Sequence, residues 1–330
     1  MRHRTGAGMR RRLPPSDVRA ALLGLIVLLL LTNWAGSDGY RGSLMITGCT
    51  YALIALGMFV PFVLAGSLSL AYSAHAAIGA YAVAILSTKT HWPLWTGWLL
   101  GPPLAAGVAV ALGLATRRLS GFFLGAVTLL FANAFSQFLG QSKFTGGAAG
   151  ISTLPLLSFA GWQPSPADQV AAGAVLVALV AFALDRLRLS RWGILVRTAR
   201  EAPIVVETAG VSVPALELVA LGLGAAVAAL GGALFTSNIG AVNPDTFSTN
   251  VIFLAVFMPI IGGMRTAWGA VLGAGIIVDL TLDVDALGSS GTLLVALGVL
   301  AILIVFPKGL LGFLGSATLL LRRRPRMVPQ

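Results

Sequence analysis

Charge is scarce in this chain, and most of what could do chemistry gathers between residues 185 and 217. The stretch DRLRLSRWGILVRTAREAPIVVETAGVSVPALE carries Arg186, Arg188, Arg191, Arg197 and Arg200 and lies between two long apolar segments. It is too polar to cross a bilayer and too amphipathic for a plain linker. Ile194, Val196 and Ala199, followed by Val205, Val206 and Ala209, suit a short surface helix with one apolar face. Gly210 is placed to stop that helix, and Pro214 follows just beyond. A helical turn of this kind on the cytoplasmic side of a membrane protein would serve as a docking knob for a soluble partner. An ordinary basic loop, held inside by the positive-inside rule, has the same composition.

Elsewhere the chemical inventory is thin. The sequence contains no GxSxG, HExxH, CxxC or GxxxxGK[ST] arrangement. The three histidines, His3, His75 and His91, are far apart, and His75 alone sits inside an apolar segment, where a packed, hydrogen-bonded role fits better than a ligand or proton carrier. No cofactor or metal is expected. Carboxylates inside membrane spans would mark ion or proton coupling, but Asp185, Glu217, Asp279, Asp283 and Asp285 all fall at segment ends. A passive pore, or a pump driven by a partner's energy, remains. Cys49 is the single cysteine, so no intrachain disulfide forms.

The elements that must hold these residues are set by composition. Hydrophobic residues make up 57% of the 330 and charged residues 10%, against about 25% charged in an ordinary soluble domain. Lipid is therefore the solvent for most of the chain. The net charge of +11 collects at the N-terminus, at Arg117-Arg118, in the 186–200 stretch and at the C-terminus. Membrane topology chooses those places, and nucleic acid does not. Residues 1–21 form a basic tail, 22–312 a transmembrane domain with a cytoplasmic segment at 186–215, and 313–330 a second basic tail.

Apolar runs predict about ten spans with both termini cytoplasmic. They lie near 22–36, 44–64, 66–87, 98–115, 122–139, 170–184, 218–235, 251–263, 268–280 and 293–306. Residues 140–166 and 236–250 fall outside. The pieces at 251–263 and 268–280 are short for a core of about 30 Å; a re-entrant piece there would lower the count to eight or nine, and their shortness places 251–281 near the protein interior or a pathway. Spans two to five and seven to ten also read as two halves of opposite orientation, an arrangement common in transporters.

Several segments, in order, resemble the permease subunits of branched-chain amino-acid ABC transporters of the LivM type. They are GSLSLAYSAHAAIGAYAVAIL (66–86), FFLGAVTLLFANAF (122–135) with FTGGAAGI (144–151), WGILVRTAREAPIVVETAGVSV (192–213), IIGGMRTAWGAVLGA (260–274) and FPKGLLG (306–312). Ala71-Tyr72 stands where the family usually has Gly-His. Pro203 and Val205-Val206 replace a more polar stretch, and Met264-Arg265 interrupts a turn that is usually small and uncharged.

The resemblance implies an all-α polytopic, type II-like importer permease in a bacterial plasma membrane. It would pair with a second, unlike permease, two cytoplasmic ATPases and an extracytoplasmic substrate-binding protein, and the ATP chemistry would belong to the partners. The 190–213 segment would be the coupling element: Val196, Ala199, Val205 and Val206 enter an ATPase groove, Arg197, Arg200 and Glu201 fix register, and Gly210 closes the helix. Glu201 would pair with Arg197 or Arg200. Ser67, Ser69, Tyr72, Ser73, Thr128 and Asn133 would line the solute pathway. Thr145, Gly146 and Gly147 would form a docking loop for the binding protein. The solute would be a branched-chain amino acid or a similar small polar molecule such as urea or a short amide. A secondary transporter or channel is the alternative; a membrane-embedded transferase would need a carboxylate pair or a histidine cluster that the chain lacks.

Overall fold

The computed structural model describes residues 39–285 apart from 120, 153 and 156–163, together with 24, 297, 300, 304 and 309–311. Helix α1 runs Gly39–Met58 and continues as a π-helical turn, Phe59–Ala65. Next come α2 (Tyr72–Lys89), α3 (Leu94–Ala115), α4 (Phe122–Gln141) and α5 (Pro166–Leu189). The arginine-rich stretch folds as α6 (Arg191–Glu201) and α7 (Pro203–Thr208). The chain then forms α8 (Val213–Ile239), α9 (Thr249–Gly262) and α10 (Ala267–Asp285). Among the described residues the only sheet-like contact is an isolated antiparallel bridge between Ile151 and Val242.

Among the described residues, six helical segments are long and apolar enough to cross a membrane: Gly39–Ala65, Leu94–Ala115, Phe122–Gln141, Pro166–Leu189, Val213–Ile239 and Pro244–Gly262. The helix Ala267–Thr281 is apolar but shorter. Apart from residues 24, 297, 300 and 304, the apolar runs expected to be the first and last spans lie outside the described residues, as do the two basic tails. Two expectations change in detail. The run beginning at Gly66 is not helical from its start, because 66–71 is irregular and α2 begins at Tyr72. The short pieces after 250 form a hairpin, α9 and α10, and the 3₁₀ turn Pro244–Phe247 brings the first piece to 19 residues.

Local chemistry accounts for the ends and breaks. Ser165 caps α5 through a reciprocal box with Asp168, and Pro166 follows at the first helical position, where its missing N–H costs nothing. Pro61 cannot donate to the Gly57 carbonyl, and the helix widens to π geometry around it. Gly66, at φ 75°, ends that turn in the left-handed region. The amides of Gly66 and Ser67 both reach the Pro61 carbonyl.

Helix α8 is the central post of the bundle and packs on α1, α2 and α3. Its crossing with α1 is tight. A Cβ on Gly57 would sit 2.5 Å from the Gly224 carbonyl oxygen, and one on Gly224 would sit 2.4 Å from that of Gly57. In lipid there is little hydrophobic drive between helices, so backbone approach through small residues supplies the packing. The α9–α10 hairpin lies against α1. Outer helices α3 and α4 turn Leu99, Leu104, Phe122, Phe123 and Leu130 outward, as a lipid-facing surface requires.

Candidate functional site

The arginine-rich segment is two helices and not one. Ala202, preceding Pro203, is pushed to φ −144°, ψ 74°, and this breaks the run. Ser190 caps α6 by accepting from the Gly193 amide. After α7, the Gly210 amide donates to the Glu207 carbonyl at 2.9 Å and the Val211 amide to Val206 at 3.2 Å, the paired bonds of a Schellman ending. Gly210 has φ 79°, so the expected left-handed stop is present.

The faces of this segment differ from expectation. Val196 (1% exposed) joins the main core, and Ala199 and Val206 (3% exposed) form a small cluster with Val213 beneath the segment. These three, expected to enter a partner's groove, pack on the chain's own bundle, because α6 lies directly on the end of the α1 π-turn. The outward apolar side is Ile204 (74% exposed) and Val205 (59% exposed). Glu201 and Glu207 are exposed beside them.

Two of the arginines bond back to the chain, while Arg186 and Arg191 are exposed. Arg197 donates from Nε to the Gly193 carbonyl and from Nη2 to the Arg188 carbonyl, both at 3.2 Å. Arg200 donates from Nη1 to the Val63 carbonyl in the π-turn. Glu201 has no ion pair among the described residues, so the pairing expected with Arg197 or Arg200 does not form. The Arg188 and Val63 carbonyls lie in the last turns of their helices, where carbonyls lack an intrahelical donor; the Gly193 carbonyl lies in the first turn of α6.

A second polar node escaped the sequence reading, which placed Asp185 only at a segment end. Asp185 is 7% exposed and accepts from the Ala267 amide at 3.0 Å, capping α10 from the end of α5. A carboxylate at a helix N-terminus is favoured by the unpaired amides and the helix dipole. Arg188 lies 3.4 Å from the same carboxylate and donates to the Arg265 carbonyl in the α9–α10 turn. The sequence signal was an acid followed three residues later by an arginine at the end of an apolar run; the capped amide, 82 residues away, was invisible.

Of the expected pathway residues, Ser67, Ser69, Tyr72, Ser73 and Thr128 are buried and Asn133 is exposed. The structure brings the irregular segment 66–71 against α4. Thr128 Oγ1 accepts from the Leu70 amide at 2.8 Å and donates to the Leu124 carbonyl at 2.8 Å. Irregular backbone at membrane depth must find such partners, since lipid supplies none. Asn133 Oδ1 accepts from Thr249 at 2.6 Å, joining α4 to the start of α9. The rings of Tyr72 and His75 meet edge to face at 5.6 Å. Neither the Tyr72 hydroxyl nor His75 Nδ1 has a hydrogen-bond partner among the described residues.

At the opposite end of the bundle the glycine-rich loop is compact. Thr145 is buried and donates to the Leu139 carbonyl at 2.6 Å. Gly146, at φ 86°, separates two 3₁₀ turns, and Gly147, at φ 64°, begins the second. Lys89 reaches the Phe144 carbonyl and stands 4.2 Å over its ring, and the Ile151–Val242 bridge ties the loop to the connection after α8.

A helical bundle with several bilayer-length segments, an irregular buried crossing and an amphipathic pair of helices at one end is the architecture of a multi-pass membrane protein. The family model described as "Branched-chain amino acid transport system / permease component" matches residues 40–306, and the chain belongs to that family. It is therefore a permease subunit of an ABC transport system and not an enzyme; ATP hydrolysis belongs to a separate subunit. The chain is 29% identical over 290 residues to the high-affinity branched-chain amino acid transport system permease protein LivM of Salmonella typhimurium. It is 29% identical over the same length to LivM of Escherichia coli. Each match covers 80% of this chain and 68% of the relative. No solved structure matches the chain.

Proposed function

We propose that this permease imports branched-chain amino acids across a bacterial plasma membrane, with both termini cytoplasmic. It pairs with a second permease, takes its energy from two cytoplasmic ATPases and receives solute from an extracytoplasmic binding protein. Ten spans in two inverted halves complete the type II-like topology. The observation that carries this reading is the α6–α7 segment: its underside is bolted to the bundle while Ile204, Val205, Glu201 and Glu207 remain exposed at its outer side. An exposed apolar pair on a well-anchored charged helix end is what a soluble ATPase would grip. Arg197 and Arg200 tie the segment to the helix ends behind it, and Gly210 and Val206 keep α7 seated. Ser67, Ser69, Tyr72, Ser73, Thr128 and Asn133 border the solute path, which is closed around the first five here. The loop with Thr145, Gly146 and Gly147 receives the binding protein.

The test is reconstitution of the permease pair with its ATPases in vesicles. Leucine-loaded binding protein is expected to stimulate ATP hydrolysis, with uptake strictly dependent on the ATPases. Uptake at full rate without ATPases would instead establish the secondary transporter or channel. A similar dependence on urea or a short amide, with no response to leucine, would reassign the solute alone.

A further inference from the structure

Three arginines of the coupling segment and its approach end on backbone carbonyls, and two of those carbonyls belong to turns that reverse the chain between membrane helices. Arg200 reaches Val63, in the π-turn that opens the α1–α2 reversal. Arg188 reaches Arg265, in the α9–α10 reversal. Arg197 links α6 back to the Arg188 carbonyl, so the two contacts belong to one connected string. Asp185 closes the string by capping α10 at Ala267 while lying beside Arg188.

The α1–α2 reversal is shaped to receive its arginine. A Cβ on Gly66 would lie 2.8 Å from Arg200 Cγ and 3.0 Å from Cδ, so the stem of Arg200 occupies the space that any other residue at 66 would fill. The segment just after that contact, 66–71, carries Ser67 and Ser69 and leads into Tyr72 and Ser73. Its hold on the rest of the bundle includes one hydrogen bond from the Leu70 amide to Thr128. The α9–α10 reversal has a similar fit, with Gly309 packed against Gly263: a Cβ on Gly309 would sit 2.4 Å from Gly263 Cα.

We propose that Arg200 and Arg188 are positioning residues that transmit displacement of the α6–α7 segment to the α1–α2 and α9–α10 reversals. Arg200 thereby acts on the irregular 66–71 segment beside the solute path. A guanidinium clamped on a carbonyl has direction as well as strength, and its planar fork resists shear better than an ammonium on a flexible stem. The segment thus grips the ATPase with its outer side and the two reversals with its inner side. This inference rests on the proposed ABC import function, but it separates docking from transmission.

The experiment uses the reconstituted importer with both permeases and ATPases, and reads ATPase co-purification and leucine uptake on each variant. Arg200→Met is expected to retain ATPase at wild-type stoichiometry while uptake falls at least tenfold and ATP hydrolysis no longer responds to leucine-loaded binding protein. Arg200→Lys, which keeps charge and a donor, is expected to recover part of the uptake. It also decides the matter should Arg200→Met fail to insert. Wild-type uptake in either variant overturns the proposal, as does loss of ATPase association in parallel with uptake, which would place Arg200 in the docking face. A wild-type complex that shows no ATP-dependent uptake at all would strike the importer reading and not the role of Arg200.

Discussion

Gly210 shows how much of the α6–α7 segment hangs on one backbone conformation. A Cβ there would meet nothing within 4 Å, so space does not forbid a side chain. The constraint is φ 79°, where an L-residue is disfavoured by about 1–2 kcal/mol and a β-branched one is worse placed still. Gly210→Val is expected to insert normally but to unwind the last turn of α7, freeing Val206 from its seat against Ala199 and Val213. ATPase co-purification should fall severalfold. Gly210→Asn should stay close to wild type, since asparagine tolerates the left-handed region. Equal co-purification for the two variants would show that the turn has no part in docking. Glu201→Lys probes the adjacent charge: the site is exposed and unpaired among the described residues, so a loss of ATPase with the fold intact would belong to the partner's surface.

At the scale of elements, the α1–α8 crossing carries the bundle. Gly57 and Gly224 let the two backbones touch, and Ala228 closes the contact, with its amide 2.9 Å from where a Gly57 Cβ would stand. Overpacking of this kind costs about 1–3 kcal/mol in a well-packed interior, and here the obstructing atoms are backbone, which cannot rotate away. Gly57→Leu is expected to lower the thermal midpoint of the purified permease in detergent by several degrees and to reduce its membrane yield. Gly107→Leu, at a position with nothing within 4 Å, is the matched control and should do neither. The π-turn beside this crossing has a related cause. Pro61 removes one donor, the helix widens, and the freed geometry lets the Val63 carbonyl meet Arg200.

For the whole molecule, orientation is the property with the simplest test. Arginines cluster at the α5–α7 end, and the glycine-rich loop lies at the other. On the positive-inside rule, α6–α7 is expected on the cytoplasmic side. Cys49 is buried, so the native thiol interferes little with labelling. A cysteine at Glu207 is expected to resist a membrane-impermeant maleimide in intact cells and to react once the membrane is opened. A cysteine at Ala148 should react in both conditions. The reverse pattern would invert the topology and remove the ATPase from α6–α7.

What could be read from the sequence was whatever lies within one turn or one run of chain. Apolar length marked the six described segments long enough to span, because the transfer of apolar side chains into lipid is set by local composition. Gly210 marked the end of the 190–213 stretch through its own backbone preference, although the Ser190 cap and the break at Pro203 were not read from it, and the order of motifs from 66 to 312 was enough to point to the permease family. The direction of each coupling arginine was not legible, because it depends on which carbonyl another part of the chain leaves unpaired. Arg188 finds its acceptor 77 residues away and Arg200 137 residues away. Asp185 looked like an ordinary charged end until folding brought the open N-terminus of α10 beside it. The apolar stripe of α6–α7 had a visible period but no visible partner: tertiary packing turned Val196, Ala199 and Val206 onto the bundle and left Ile204 and Val205 outside. A periodic pattern specifies that a face will be buried, and only the three-dimensional arrangement of distant helices decides against what.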